Sequence, residues 1–206
     1  MATYTSQPDE TSGIDTFLHG YSDLQNTNYA TDALLQIGEL NNTTASPCRT
    51  LIKFDLSSLV GANIISATLS LFVSEDYADN ARTFRAFRMK RAWVESQATW
   101  NIYSTGNNWS TAGGFHSDDC EQTDIGTCDF TDSEAANTEK TFTLTAAKVR
   151  EWIDGTFTNN GLLIKADTEL NEGYLMHSSS SATAGYRPKL VIEYFRGGQF
   201  IRWSNE

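Results

Sequence analysis

Side chains able to do chemistry are few and scattered in this sequence. Its three histidines, His19, His116 and His177, stand far apart, which gives a Ser-His-Asp triad or a histidine-based metal hydrolase little to draw on. No G-x-S-x-G elbow, H-E-x-x-H helix, phosphate-cradling glycine loop or dinucleotide fingerprint occurs. Carboxylates are abundant, but spacing along a chain does not report the separation that a glycosidase pair needs. The expectation is a protein that is not an enzyme.

Metal chemistry is equally thin. "DTELNEG" (Asp167 to Gly173) approaches a calcium loop, but its glycine sits at the seventh place instead of the sixth, and Ser178 stands where the bidentate Glu belongs. No cofactor is expected; a structural calcium at Asp15, Asp55 or the acidic stretch is the metal role open to these carboxylates, against solvated surface acids. Cys120 and Cys128 enclose a loop short enough to close as a disulfide, leaving Cys48 free or paired elsewhere. A zinc site from His116, Cys120, Cys128 and Cys48 lacks paired C-x-x-C spacing and ranks below that disulfide.

Recognition chemistry is better represented. Trp93, Glu95, Thr99, Trp100 and Asn101 combine flat rings with hydrogen-bonding groups, as a sugar platform does, although tryptophans in such strand-turn motifs commonly pack inside. Tyr103 and Trp109, in a polar loop, are the candidates for an exposed carbohydrate contact. Asn41, Asn42 and Asn108 each begin a glycosylation sequon in a polar stretch, which favours an extracellular or cell-surface location.

The elements that must position these groups are strands. "TLIKFDL" sets Ile52, Phe54 and Leu56 on one face and Leu51, Lys53 and Asp55 on the other. "IISATLSLFVS" sets Ile65, Ala67, Leu69, Leu71 and Val73 inward. Similar runs lie at Asp15 to Leu18, Leu34 to Ile37, Thr83 to Trp93, Lys140 to Leu144, Gly161 to Ala166, Tyr174 to Ser178 and Lys189 to Phe195. About nine antiparallel strands with polar turns predict an all-β, two-sheet sandwich. One helix is expected, "AAKVREWIDG", capped by Thr145, with Val149 and Trp152 on one face and Gly155 ending it. Trp100 to Lys140 reads as a long decorated loop, acidic in its second half, where eight acids from Asp118 to Glu139 face Lys140 alone. Arg82, Arg85, Arg88, Lys90 and Arg91 form a basic stripe elsewhere.

The totals agree with this class. At 206 residues with 39% hydrophobic and 20% charged residues, the chain can fold as one domain with a real core. Its net charge of −11 repels nucleic acid and anionic lipid. No apolar run is long enough to insert in a membrane, and "MATYTSQPDE" lacks the features of a signal peptide.

The order of motifs "DTFL", "NYA", "RTLIKFDLSSL", "IISATLSL", "WVESQATWN", "FTLTAAKVREW", "NNGLLI" and "RPKLVIEY" resembles that of DNRLRE domains from Asp15 to Phe195. The resemblance implies a jelly roll similar to carbohydrate-binding modules of secreted proteins, without catalytic machinery. Ala30 and the stretch "SSATAGYRP" depart from the family pattern.

Residues 1–14 and 196–206 then read as extensions to a core at 15–195. The closing run "GGQFIRWSNE" carries Phe200, Ile201 and Trp203, which require burial: in an intrachain hairpin turned at Gly197-Gly198, or as a strand added to a neighbour. The first reading of function is a repeating subunit of a self-assembling filament, with Phe200, Ile201, Trp203 and Tyr4 in its contacts and the separated basic and acidic regions setting register. The alternative is a carbohydrate-binding module whose partner is a polysaccharide.

Overall fold

A computed structural model describes residues 1–40, 46–170 and 172–197. Thirteen strands and one helix follow in the order β1 (Ala2–Ser6), β2 (Ile14–His19), β3 (Leu34–Glu39), β4 (Pro47–Lys53), β5 (Asn63–Asp76), β6 (Arg82–Arg88), β7 (Ile102–Ser104), β8 (Asn107–Asn108), β9 (Gly126–Phe130), β10 (Glu139–Leu144), α1 (Ala146–Ile153), β11 (Leu162–Ala166), β12 (Gly173–His177) and β13 (Lys189–Phe195). Eleven strands form one curled antiparallel sheet, ordered β1-β13-β5-β12-β3-β4-β11-β6-β9, with β10 on β5 and β2 on β4; β7 and β8 make a small separate ribbon. The long strand β5 produces the curl. Its first half pairs with β13 and β10, and its last residues pair with β12.

The main core lies inside the curl, where Ala67, Leu69, Leu71 and Val73 of β5 face Ile37, Ile52, Phe84 and Ile164. Ile65, expected inward, is exposed instead. A bulge between Glu193 and Tyr194 of β13 shifts the register, so that Ile64 packs on the core and Ile65 turns out. On the other face of β4, which Leu51 shares with Lys53 by alternation, Leu51 is fully buried. It joins Leu18, Phe87, Met89 and Leu163 in a second core, covered by residues 93–120 through Trp100, Trp109 and Cys120. With cores on both faces, β11 is buried along its whole length, Lys165 included, which explains the apolar run Leu162 to Ile164.

The expected helix is present. Val149, Trp152 and Ile153 are buried and Gly155 ends it at φ 81°, but the Thr145 side chain makes no capping bond. The stretch from Trp100 to Lys140 is not one long loop, since it contains β7, β8 and β9. Residues 1–14 are not a separate extension either: β1 adds to β13 in register from Ala2 opposite Tyr194 to Ser6 opposite Leu190. Tyr4 packs on the main core and its hydroxyl donates to the Asp55 carbonyl, so it is committed within its own chain.

The "NNG" before β11 shows how a motif becomes geometry. The Asn159 amide donates to the Phe54 carbonyl at 2.9 Å and accepts from Gly161 N–H, while the Asn160 amide donates to the Lys90 carbonyl at 2.8 Å. Gly161 has φ +81°, and a Cβ there would lie 2.3 Å from the Ile52 carbonyl oxygen. Gly161→Ala should therefore lower stability by at least the left-handed backbone cost of about 1–2 kcal/mol. Urea denaturation of the variant checks this, and an unchanged midpoint would contradict it.

Candidate binding groove

The residues expected to touch sugar serve the second core. Trp109 is only 5% exposed and its indole N–H donates to the Thr99 carbonyl at 2.9 Å. Tyr103 is half-buried, 5.5 Å from the Trp109 ring and covered by the Arg91 guanidinium. Trp93 donates to the Asn160 carbonyl, the Glu95 carboxylate accepts from Asp15 N–H, and the Thr99 hydroxyl accepts from Asn101 and Ile102 N–H. The "WVESQATWN" motif is thus a clamp holding a covering loop. A polar loop sequence hid this, because an indole N–H satisfied by a carbonyl ten residues away leaves no local pattern. Trp109→Ala should cost about 3–5 kcal/mol of stability, as large aromatic truncations do. Thermal unfolding reads it out; a soluble variant with unchanged Tm would return Trp109 to the surface.

Other expected sites disperse. Cys120 bridges Met89 and Cys128 lies opposite Phe84, five positions apart along β6, roughly 16 Å at the strand rise. That exceeds disulfide reach, and both thiols are free, as is Cys48. Burial raises all three thiols, Cys120 to about 11. Asp15 is occupied by Ser179, whose N–H and hydroxyl both donate to it, and the Asp55 carboxylate accepts from Ser57 N–H. Among the described residues no three His, Cys, Asp or Glu side chains gather as a metal site. Asn108 is exposed on β8; Asn41, Asn42, Phe200, Ile201 and Trp203 lie outside the described residues.

Basic stripe and acidic stretch pair with each other inside the chain. Arg85 meets Asp124 at 2.9 Å, Arg88 meets Glu121 at 2.8 Å, Arg91 meets Asp119 at 3.1 Å, and Lys90 donates to the Ser117 carbonyl. Three of the stripe's five cations thus pair with the acidic stretch within one molecule, which leaves less charge complementarity for contacts between subunits. Pairing of β6 with β9 brings the two together, so Arg85 stands opposite Thr127 although neither region points to the other in sequence.

Of three open grooves of similar size among the described residues, the one with the most apolar side chains in its lining lies beside the end of β4. Its floor and walls come from the segment after β4 (Lys53 to Ser57, with Val60), from Trp152 and Ile153 at the end of α1, and from Ser12, Ile14 and Asn159; its volume is about 410 Å³. Beneath it, Phe54, Leu56 and Trp152 also line a small apolar void of about 10 Å³ with Leu144, Leu162 and Leu190, too small and too apolar to hold water. Trp152 is 8% exposed and its indole N–H has no hydrogen-bond partner. That nitrogen is itself buried, and an orphaned buried donor costs about 1–3 kcal/mol; the ring of Trp152, not its N–H, is what the groove presents. Lys53, Asp55, Ser12 and Ser57 supply polar groups around this apolar floor.

Arg88 fixes the groove's inner wall. Its fully buried guanidinium donates to Glu121, to Glu151 at 2.7 Å and to the Lys148 carbonyl at 2.9 Å, and lies 3.9 Å from the Phe157 ring centroid and 5.9 Å from that of Trp152. Burial lowers the guanidinium pKa, but the bonds and charges of Glu121 and Glu151 outweigh it and hold the net value above normal. Helix α1 and its terminal tryptophan are thereby tied to β6. Sequence reasoning placed Trp152 on a buried helix face but not at a groove, because the opposite wall lies about a hundred residues earlier, at Lys53 to Val60.

A comparison with curated proteins returned no match. Residues 21–192 match the family model of the disaggregatase related repeat domain; the family shown is this one and not the DNRLRE family that the order of motifs suggested. With that share of its length matched, the chain belongs to the disaggregatase related repeat family.

Proposed function

We propose that this chain is a non-catalytic structural module, a two-sheet jelly-roll sandwich working outside the cell or at its surface, which assembles with copies of itself into a filament or other homo-oligomer. The observation that carries the reading is the groove, with its apolar floor of Phe54, Leu56, Trp152 and Ile153, close to where the chain leaves β13. Arg196 donates to the Ser58 carbonyl on the rim of this groove. An apolar floor with polar groups of Lys53, Asp55 and Ser57 beside it suits a peptide segment that brings apolar side chains and its own polar backbone. The exposed Asn108 sequon supports the extracellular location.

The experiment is light scattering on the full chain across a concentration series. Mass should rise above the monomer as concentration increases. A monomer throughout the millimolar range would sink the reading.

The polar rim of Lys53, Asp55, Ser12 and Ser57 favours one second reading, a glycan in the same groove. A soluble oligosaccharide panel should then shift the Trp152 indole signal of a monomeric protein, and no shift across the panel removes that reading.

A further inference from the structure

Resting on the assembly reading, we propose that the occupant of the groove is residues 199–203 of a second copy, and that two copies exchange these segments reciprocally in a closed two-fold pair. Nine residues lie beyond Gly197, and fully extended they reach roughly 30 Å. The segment carries chemistry that matches the groove: Phe200, Ile201 and Trp203 suit an apolar floor, and the charge of Arg202 complements Asp55 in the lining.

The surroundings of the exit point argue for a neighbour. Phe195 is 48% exposed and pairs with Asn63; Ile65, turned out by the adjacent bulge, is 45% exposed; Val60 on the groove rim is 66% exposed. These three side chains from separate segments ring the place where the chain leaves β13. A segment folded into its own groove covers the floor but leaves this ring in water. A second copy meeting the same end face to face covers both. Donor exit and acceptor groove share one end, so the contact is self-complementary and closes as a dimer. An open filament then needs a different second contact, so the dimer is its building block.

The test uses the full chain and a chain ending at Gly197. Light scattering should give a dimer for the full chain and a folded monomer for the truncated one. In the isotope-labelled truncated protein, the Trp152 indole N–H resonance, assigned with Trp152→Phe, should move on titration with an unlabelled peptide of residues 198–206. A peptide with Phe200→Ala and Trp203→Ala should bind at least tenfold more weakly. A dimer that survives truncation overturns the exchange while sparing the assembly reading. A monomeric full chain whose Trp152 resonance already matches the peptide-bound form shows the groove filled by its own segment and also overturns it. A monomeric full chain with the resonance of the truncated form sinks exchange and assembly together. Tail-dependent filaments without a stable dimer overturn the two-fold closure.

Discussion

Arg88→Met is expected to destabilise the protein by about 3–5 kcal/mol, the loss typical when one member of a buried ion network is removed. The guanidinium is fully buried, with Glu121 and Glu151 on two sides at 2.8 and 2.7 Å. Methionine fills much of the space against Phe157 but leaves those two carboxylates facing each other, with Lys148 at 3.8 and 3.4 Å as their remaining cation. Because Glu121 and Glu151 reach solvent, the loss belongs at the lower end of that range. Arg88 holds both carboxyls below the usual carboxylate range through its hydrogen bonds. Depressed carboxylates contribute stability that is present above their unfolded pKa and lost as pH falls through the folded value. The variant should therefore lose part of the wild type's acid sensitivity. Adding Glu121→Gln and Glu151→Gln should recover part of the deficit, because an uncharged set no longer repels. Urea denaturation at pH 7 and pH 4 measures both effects, and a loss below about 1 kcal/mol at pH 7 would show the network to act as a surface pair.

Asp15 should act in the opposite sense. Burial raises its carboxyl from 3.8 to about 6, against the two hydrogen bonds from Ser179 that lower it, with the nearby Glu95 charge adding to the rise. Between these two values the folded protein holds a proton that the unfolded chain releases, so stability falls as pH rises through this window and stays lower above it. The gap corresponds to about 3 kcal/mol as an order of magnitude. In Asp15→Asn the amide oxygen can still accept from Ser179 N–H and the amide nitrogen can face the Ser179 hydroxyl, while no charge needs to be buried. The variant should match wild type near pH 4 and exceed it by about 1–3 kcal/mol at pH 8. Thermal unfolding at the two pH values gives the difference. Parallel pH profiles for the two proteins would show that Asp15 is ionised at no such cost.

Local pattern was enough for the strongly periodic elements, not for β1, β7, β8 and β9, and not for what covers each face. Period-two alternation identified β4, β5, β10 and β13, and a capping position with a terminal glycine identified α1, because these signals arise within one segment. The same alternation put Leu51 on the face opposite Ile52 and Phe54 and could not show that a second core covers it, since periodicity separates two faces without saying what covers either. The charge stripe was visible at Arg82 to Arg91, and the acids at Asp118 to Glu139, but their union depends on the β6–β9 register. Cys120 and Cys128 looked close because a short loop separates them, whereas their positions along β6 hold them apart.

The amino-acid sequence by itself determined a mostly β chain with one short helix and the order of nine of its strands, because hydrophobic period and turn chemistry act over a few residues; β1, β7, β8 and β9 were not among them. Only the tertiary structure decided that Trp109 is interior, that the opposite charges meet within one molecule, and that Trp152 stands at an open groove with an unpartnered N–H. Each of those depends on which distant segment arrives at a given face, a matter of strand register and covering loops that no single segment encodes.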